Sequence, residues 1–193
     1  MGKSSLINAL VRQDVARTSA APGKTRLVNL YRVELSRSTG AFYLVDLPGY
    51  GHTGGGEEAA REFDRLTREY FRLQVTGYGL QGGIRDQGPE AGDQGPSARG
   101  RRRGRRIAGV ILAIDARHPG LDNDLAAHRW LLTQTAPIVI VATKVDKLSQ
   151  AERARSRRHT ETSFGVAAVP VSAVTGEGLD QLWRHLLTWI RRN

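Results

Sequence analysis

The chain has 193 residues, 39% of them hydrophobic, and a formal charge of +10. It has no cysteine, which excludes a disulfide framework and a thiolate metal site, and no apolar run approaches the roughly 18 residues of a membrane span. A single domain with no signal-peptide pattern is expected in the cytoplasm or an organelle interior, and the charge suggests a polyanionic partner, most simply nucleic acid, with an arginine-favouring GC-rich genome as the bland alternative.

The chain opens on Gly2-Lys3-Ser4, the last three positions of the phosphate loop G-x-x-x-x-G-K-[ST]. Ser4 to Val11 reads as a helix with Leu6, Ile7 and Leu10 on one face. Gln13 to Arg26 is polar and holds Pro22-Gly23, so it reads as a loop. Leu27 to Leu35 and Ala41 to Leu47 read as strands, with Ser38-Thr39-Gly40 as their turn. Pro48 to Gly56 is a glycine-rich loop, and Glu57 to Leu73 has helical spacing of Phe63, Leu66, Tyr70 and Leu73. Ala108 to Ile114 and Pro137 to Ala142 are apolar runs expected of buried parallel strands. Helices are expected over Asp122 to Gln134, Ser149 to Ser163 and Leu179 to Ile190, and a strand over Val166 to Val171. The alternation predicts an α/β, doubly wound, mostly parallel sheet with one antiparallel strand, whose ligand loops leave the C-terminal strand ends.

Thr76 to Arg106 stands apart. It contains nine glycines, two prolines and seven arginines, and ends in RGRRRGRR. Such a segment buries too little apolar surface to order itself and reads as a disordered insertion. Its arginines suit nucleic acid; a solvated insertion and a localisation-type basic cluster are the alternatives.

Five fragments carry chemistry. In the first, backbone N–H groups and the helix N-terminus favour phosphate, Lys3 reaches the β- and γ-phosphates, and the Ser4 hydroxyl ligates Mg²⁺. A capping serine is the bland reading. In Asp46-Leu47-Pro48-Gly49, a carboxylate at a strand end holds the magnesium's water shell and the Gly49 N–H meets the γ-phosphate; a common Asp-x-Pro-Gly turn is the alternative. In Thr143-Lys144-Val145-Asp146, the Asp146 carboxylate accepts from guanine N1–H and its 2-amino group. Adenine lacks that donor pair, so the site selects guanine, and the Lys144 stem packs over the base; a solvated loop is the bland reading. Val171-Ser172-Ala173 is placed to offer a backbone N–H to guanine O6. Thr25, in Pro22-Gly23-Lys24-Thr25-Arg26, completes the magnesium coordination only when the γ-phosphate is present, which makes a switch.

With these residues in this order, the chain resembles the TRAFAC-class GTPases, and most closely the EngB (YihA/YsxC) family of ribosome-biogenesis GTP-binding proteins. The segments that carry the resemblance are GKSSLINAL, APGKTRLVNLYRV, YLVDLPGYG, Asp115-Ala116-Arg117-His118, VATKVDKLS and VSAVTGEGLDQL. It covers nearly the whole chain except Thr76 to Arg106. The resemblance implies a P-loop G domain over residues 1–193 and a GTPase acting in large ribosomal subunit assembly, with family links to cell division and septation. It implies Mg²⁺ as cofactor, GTP or GDP as ligand, and the large-subunit precursor with its rRNA as partner, for a monomer without a membrane. The phosphate site is expected from Gly2, Lys3, Ser4, Ser5, Gly23, Lys24, Thr25, Asp46, Leu47, Pro48 and Gly49. The guanine site is expected from Thr143, Lys144, Asp146, Val171, Ser172 and Ala173. Ser4 and Thr25 are the expected metal ligands, with Asp46 behind them.

No catalytic residue is assigned. Tyr50 stands where many GTPases place a water-orienting glutamine, so intrinsic hydrolysis is expected to be slow. His52 reads as a solvated loop histidine before it reads as a base. Relative to the family pattern, the first strand and the front of the phosphate loop are absent. That suggests a start codon assigned too late, and weak GTP affinity for the short form. A non-catalytic, basic RNA-binding remnant is the rival reading for that form.

Overall fold

The computed structural model describes residues 2–16, 28–36, 40–47, 65, 67–72 and 107–192. The chain divides into two compact units, one of Met1–Pro22, Gly49–Gly54 and Ala108–Asn193, the other of Gly23–Pro48 and Gly55–Ile107.

In the second unit, β1 (Asn29–Ser36) pairs antiparallel with β2 (Gly40–Asp46). Asn29 lies opposite Asp46 and Val33 opposite Phe42, with an irregularity in register between Glu34 and Ser36. β-branched and aromatic residues facing one another across the ladder favour this pairing. Both strands lie within two residues of their expected positions. Arg65 and residues 67–72 are helical, consistent with the helix expected over Glu57 to Leu73, and Tyr70 and Phe71 meet edge to face at 6.1 Å.

The first unit begins with α1 (Lys3–Val11) and continues through β3 (Val110–Asp115), α2 (Asp122–Leu131), β4 (Ile138–Thr143), α3 (Gln150–Phe164), β5 (Val169–Val171) and α4 (Leu179–Arg192). Its strands form a parallel sheet in the order β3-β4-β5. Alternation along the strands sends Ala113, Val139, Val141, Val169 and Val171 into one core with Leu6 and Leu10 of α1 and Leu182 and Leu186 of α4. The intervening Leu112, Ile114 and Ile140 are buried too, so the sheet is covered on both faces.

Two glycines fix close approaches. A side chain on Gly109 would meet the Trp189 ring at 2.1 Å, and one on Gly178, whose φ is +77°, would meet the Pro170 carbonyl oxygen at 1.9 Å. β5 is shorter than expected: residues 166–168 lie outside it, and Val166 is half exposed. Only Val169–Val171 reaches β4, pairing with Val141 to Thr143.

The register decides where a ligand can sit. Asp115 lies beside Thr143, and Thr143 beside Val171. All three strands therefore end in one row, and the residues that follow leave the sheet from the same edge.

Candidate nucleotide site

Gly2 is the N-cap of α1, which has no side-chain cap and no acidic residue in its first turn. A helix start without an acidic residue turns the favourable end of the helix dipole toward an anion. Lys3 and Ser4 are half-buried there, and Ser5 is exposed. At Gly2, the Cβ position lies 3.6 Å from Thr143 Oγ1 and 3.7 Å from Lys144 Cε. The fold thus brings the start of α1 against the segment after β4, although the two are about 140 residues apart in sequence.

That segment is held tightly. The Thr143 hydroxyl donates to the Ile114 carbonyl at 2.8 Å, tying β4 to β3. Lys144 takes left-handed backbone geometry, φ 63°, which is uncommon for a residue with a side chain. A 3₁₀ turn over Val145–Lys147 then presents Asp146. The Ser172 hydroxyl donates to Asp146 Oδ1 at 2.7 Å, while Lys147 Nζ stands 3.5 Å from Oδ2. The Ser172 hydrogen bond first, then a backbone hydrogen bond and the Lys147 charge, hold the Asp146 carboxyl below its ordinary value against an opposing effect of burial. It stays ionised and an acceptor, as reading a paired N–H donor edge requires.

Ser172 is wholly buried. Its oxygen also accepts from the N–H groups of Val174 (3.2 Å) and Thr175 (3.1 Å). Its own N–H donates to the Glu177 carbonyl, so that group is used within the turn. Arg153 ties this turn to the segment after β4. Its Nε donates to the Leu148 carbonyl at 3.2 Å, and its Nη1 donates to both Glu177 carboxylate oxygens at 2.7 and 2.9 Å.

In the sequence, Asp115 and Arg117 read only as a strand exit. The structure gives them a larger place. Asp115 Oδ1 accepts from the Arg117 N–H and Nε, and Oδ2 from Arg117 Nη2 and from Lys144 Nζ. Burial alone would push this carboxyl up, but the hydrogen bonds from Arg117 and Lys144 outweigh it and hold the group well below the carboxylate range. The available signal was an acidic residue ending a buried strand, two positions before an arginine.

A cleft of about 350 Å³ runs along α1 beside these loops, lined by Ser5, Asn8, Ala9, Arg12, Gln13, Asp14 and Ala173. Asn8 is fixed by a two-way bond to the backbone of Ala16, donating at 2.8 Å and accepting at 2.7 Å.

The first unit therefore brings together Gly2, Lys3, Ser4, Ser5, Thr143, Lys144, Asp146, Val171, Ser172 and Ala173. Asp46 and Leu47 belong to the other unit, where Asp46 is buried at the end of β2. The Tyr31 hydroxyl is pushed up by burial and then by the Asp46 charge. Gly23, Lys24, Thr25, Pro48, Gly49, Tyr50, His52 and the segment Thr76 to Arg106 lie outside the described residues.

Comparison with known proteins settles the family. The family model described as "50S ribosome-binding GTPase" matches residues 1–144. The "Probable GTP-binding protein EngB" of Thermotoga maritima is 32% identical over 197 residues, covering 100% of this chain and 83% of the relative. This chain belongs to the EngB family. The EngB protein of Oceanobacillus iheyensis is 30% identical with the same coverage. Among solved structures, a probable GTP-binding protein engB aligns over 100% of this chain and 94% of its own, with 17% identity and a TM-score of 0.63. Era in complex with MgGDPNP and nucleotides 1506–1542 of 16S ribosomal RNA aligns at 18% identity and a TM-score of 0.68. That alignment covers 97% of this chain and about half (52%) of Era. These likenesses show the P-loop GTPase fold: parallel strands carrying their loops at one edge, with an antiparallel pair. Among the described residues of this EngB-family chain, no helix is long and apolar enough to cross a membrane.

Proposed function

We propose that this chain binds GTP and GDP, hydrolyses GTP slowly, and acts as a switch in assembly of the large ribosomal subunit, on which cell division and septation depend. One observation carries the reading: an ionised Asp146, locked by Ser172, stands on the same sheet edge as Lys144 and the start of α1. A carboxylate so fixed accepts the N1–H and 2-amino group of guanine, and adenine would leave it unpaired at a cost of about 1–3 kcal/mol. The Lys144 stem covers the base. With the Ser172 N–H already used, the Ala173 N–H is the donor for guanine O6. Lys3 and the N–H groups at the start of α1 hold the phosphates.

Magnesium fits the donor chemistry of the chain: the Ser4 hydroxyl at a helix start is a hard oxygen ligand, and the Asp46 carboxylate at a strand end would hold the metal's water shell. When bound, the metal would supply charge neutralisation for the phosphates. The family pattern assigns Thr25 and Gly49 to the γ-phosphate, and Gly23, Lys24, Leu47 and Pro48 to the other phosphate contacts. Tyr50 offers no amide to orient water, so the ribosomal particle supplies what speeds hydrolysis. All of these groups belong to one G domain, working as a monomer in the cytoplasm.

The partner reading rests on the charge of +10 and on the family's name. Thr76 to Arg106 contributes a net +4, so +6 remains without it. Lys and Arg contacts to phosphates give affinity that falls steeply with salt. The test is binding to large-subunit precursor particles in GTP and in GDP, for the full chain and for a chain lacking residues 76–106. Nucleotide-dependent binding with a shallower salt slope after deletion supports the switch and the arginine contact. Binding indifferent to nucleotide supports an RNA module without a switch, and an unchanged slope rules out the arginine contact.

A further inference from the structure

We propose that Asp115 is the positioning residue for Lys144, holding its side chain extended as a preformed platform for the nucleotide base. The inference rests on the nucleotide reading above and adds a residue to that site. Lysine has a flexible stem and a compact charge, and fixing it costs rotamer entropy. A platform that is ordered only on binding loses affinity to that cost.

Here the ordering is already done. The backbone of Lys144 is held in the left-handed region, its Cε passes beside Gly2, and its Nζ donates to Asp115 Oδ2 at 2.8 Å. Asp115 is itself immobilised. The Arg117 fork engages both of its oxygens, through Nε at 2.9 Å and Nη2 at 2.8 Å, and the Arg117 backbone N–H adds a third bond at 3.1 Å. With the fork in place, Oδ2 has one direction left, and Lys144 takes it. The Asp115 side chain is only 9% exposed and that of Lys144 33%, so the pair is shielded enough to hold its geometry. Register completes the arrangement: Asp115 sits directly beside Thr143, the residue before Lys144. Arg117 acts one step further back, by orienting Asp115.

The alternative is that Asp115 only finishes β3 and contributes stability. A cycle of variants in the full chain separates the two, with labelled GDP and Mg²⁺ as the probe and the unfolding midpoint recorded for each variant. Asp115→Asn keeps shape and removes charge. Alone, it is expected to raise the Kd for labelled GDP about tenfold. In a Lys144→Ala background the same substitution is expected to change Kd less than about twofold, because nothing remains to be positioned. Guanine preference over adenine persists in Asp115→Asn, since Asp146 is intact. Equal losses in both backgrounds, or a lowered midpoint with unchanged Kd, overturn the inference. Should the Asn chain not fold, Asp115→Glu, which misplaces the charge by one methylene, takes its place and the same contrast decides. If the unmutated chain takes up no GDP, the nucleotide reading fails and takes this inference with it; binding with additive losses sinks the inference alone.

Discussion

The Ser172 hydroxyl donates to the Asp146 carboxylate at 2.7 Å across 26 positions of sequence, joining the loop after β5 to the loop after β4. The bond leaves one carboxylate edge fixed in direction. It also explains why a serine is buried completely at this point: its oxygen serves one acidic side chain and two backbone N–H groups at once.

Removing either end should therefore act differently on binding. Asp146→Ala is expected to abolish the preference for GDP over ADP, because the acceptor for the guanine edge is gone. Ser172→Ala keeps the acceptor but frees it and leaves the N–H groups of Val174 and Thr175 without their partner. A loss near tenfold in GDP affinity, with guanine preference retained, is expected from a charge-assisted bond worth about 1.5–3 kcal/mol in part. Competition binding with GDP and ADP reads both; Ser172→Ala that matches wild type would remove the role assigned to the bond.

Gly178 closes the same turn. Its φ is +77°, and a Cβ would lie 1.9 Å from the Pro170 carbonyl oxygen. Gly178→Ala must therefore move backbone, at a cost of about 2 kcal/mol or more. Because Arg153 clamps Glu177 next door, the displacement reaches the guanine loop. Lower stability in urea together with weaker GDP binding is expected, and a variant with both properties unchanged contradicts the geometry.

His128 sets a pH dependence. Its ring is buried and meets Phe164 of α3 edge to face at 5.4 Å. Burial pushes the imidazole below its ordinary value of 6.5. The unfolded chain therefore takes up a proton near pH 6.5 and the folded one only at lower pH. This contribution to stability is complete above about 6.5 and is lost as pH falls from there through the folded value. Asp115 and Asp146, both held low, lose theirs in more acid solution, as pH falls from the ordinary carboxylate value down through the lower folded one. Denaturation midpoints should drop between pH 7.5 and 5.5 in wild type and drop less in His128→Leu. Equal drops in the two chains would remove His128 as the cause.

Much of the fold was legible because its signals are local. The apolar runs over β3 and β4 and the amphipathic spacing of α1 and α4 placed those elements within a few residues. β5 was overextended, since Val166, Ala167 and Ala168 look like strand but only Val169–Val171 reaches β4. The candidate site was legible as residue types at strand ends. Its wiring was not, because Lys144 with Asp115, Ser172 with Asp146 and Arg153 with Glu177 pair across 24 to 29 positions. Such partners are chosen by sheet register and not by any spacing along the chain.

The central claim is a guanine-selective nucleotide site, and a titration of the 193-residue chain with labelled GDP and Mg²⁺ tests it most directly. Repeating the titration with excess ATP and then with excess GTP as competitor decides selectivity. Saturable binding that GTP displaces and ATP does not is the predicted result. No binding, or displacement by ATP as readily as by GTP, contradicts the account.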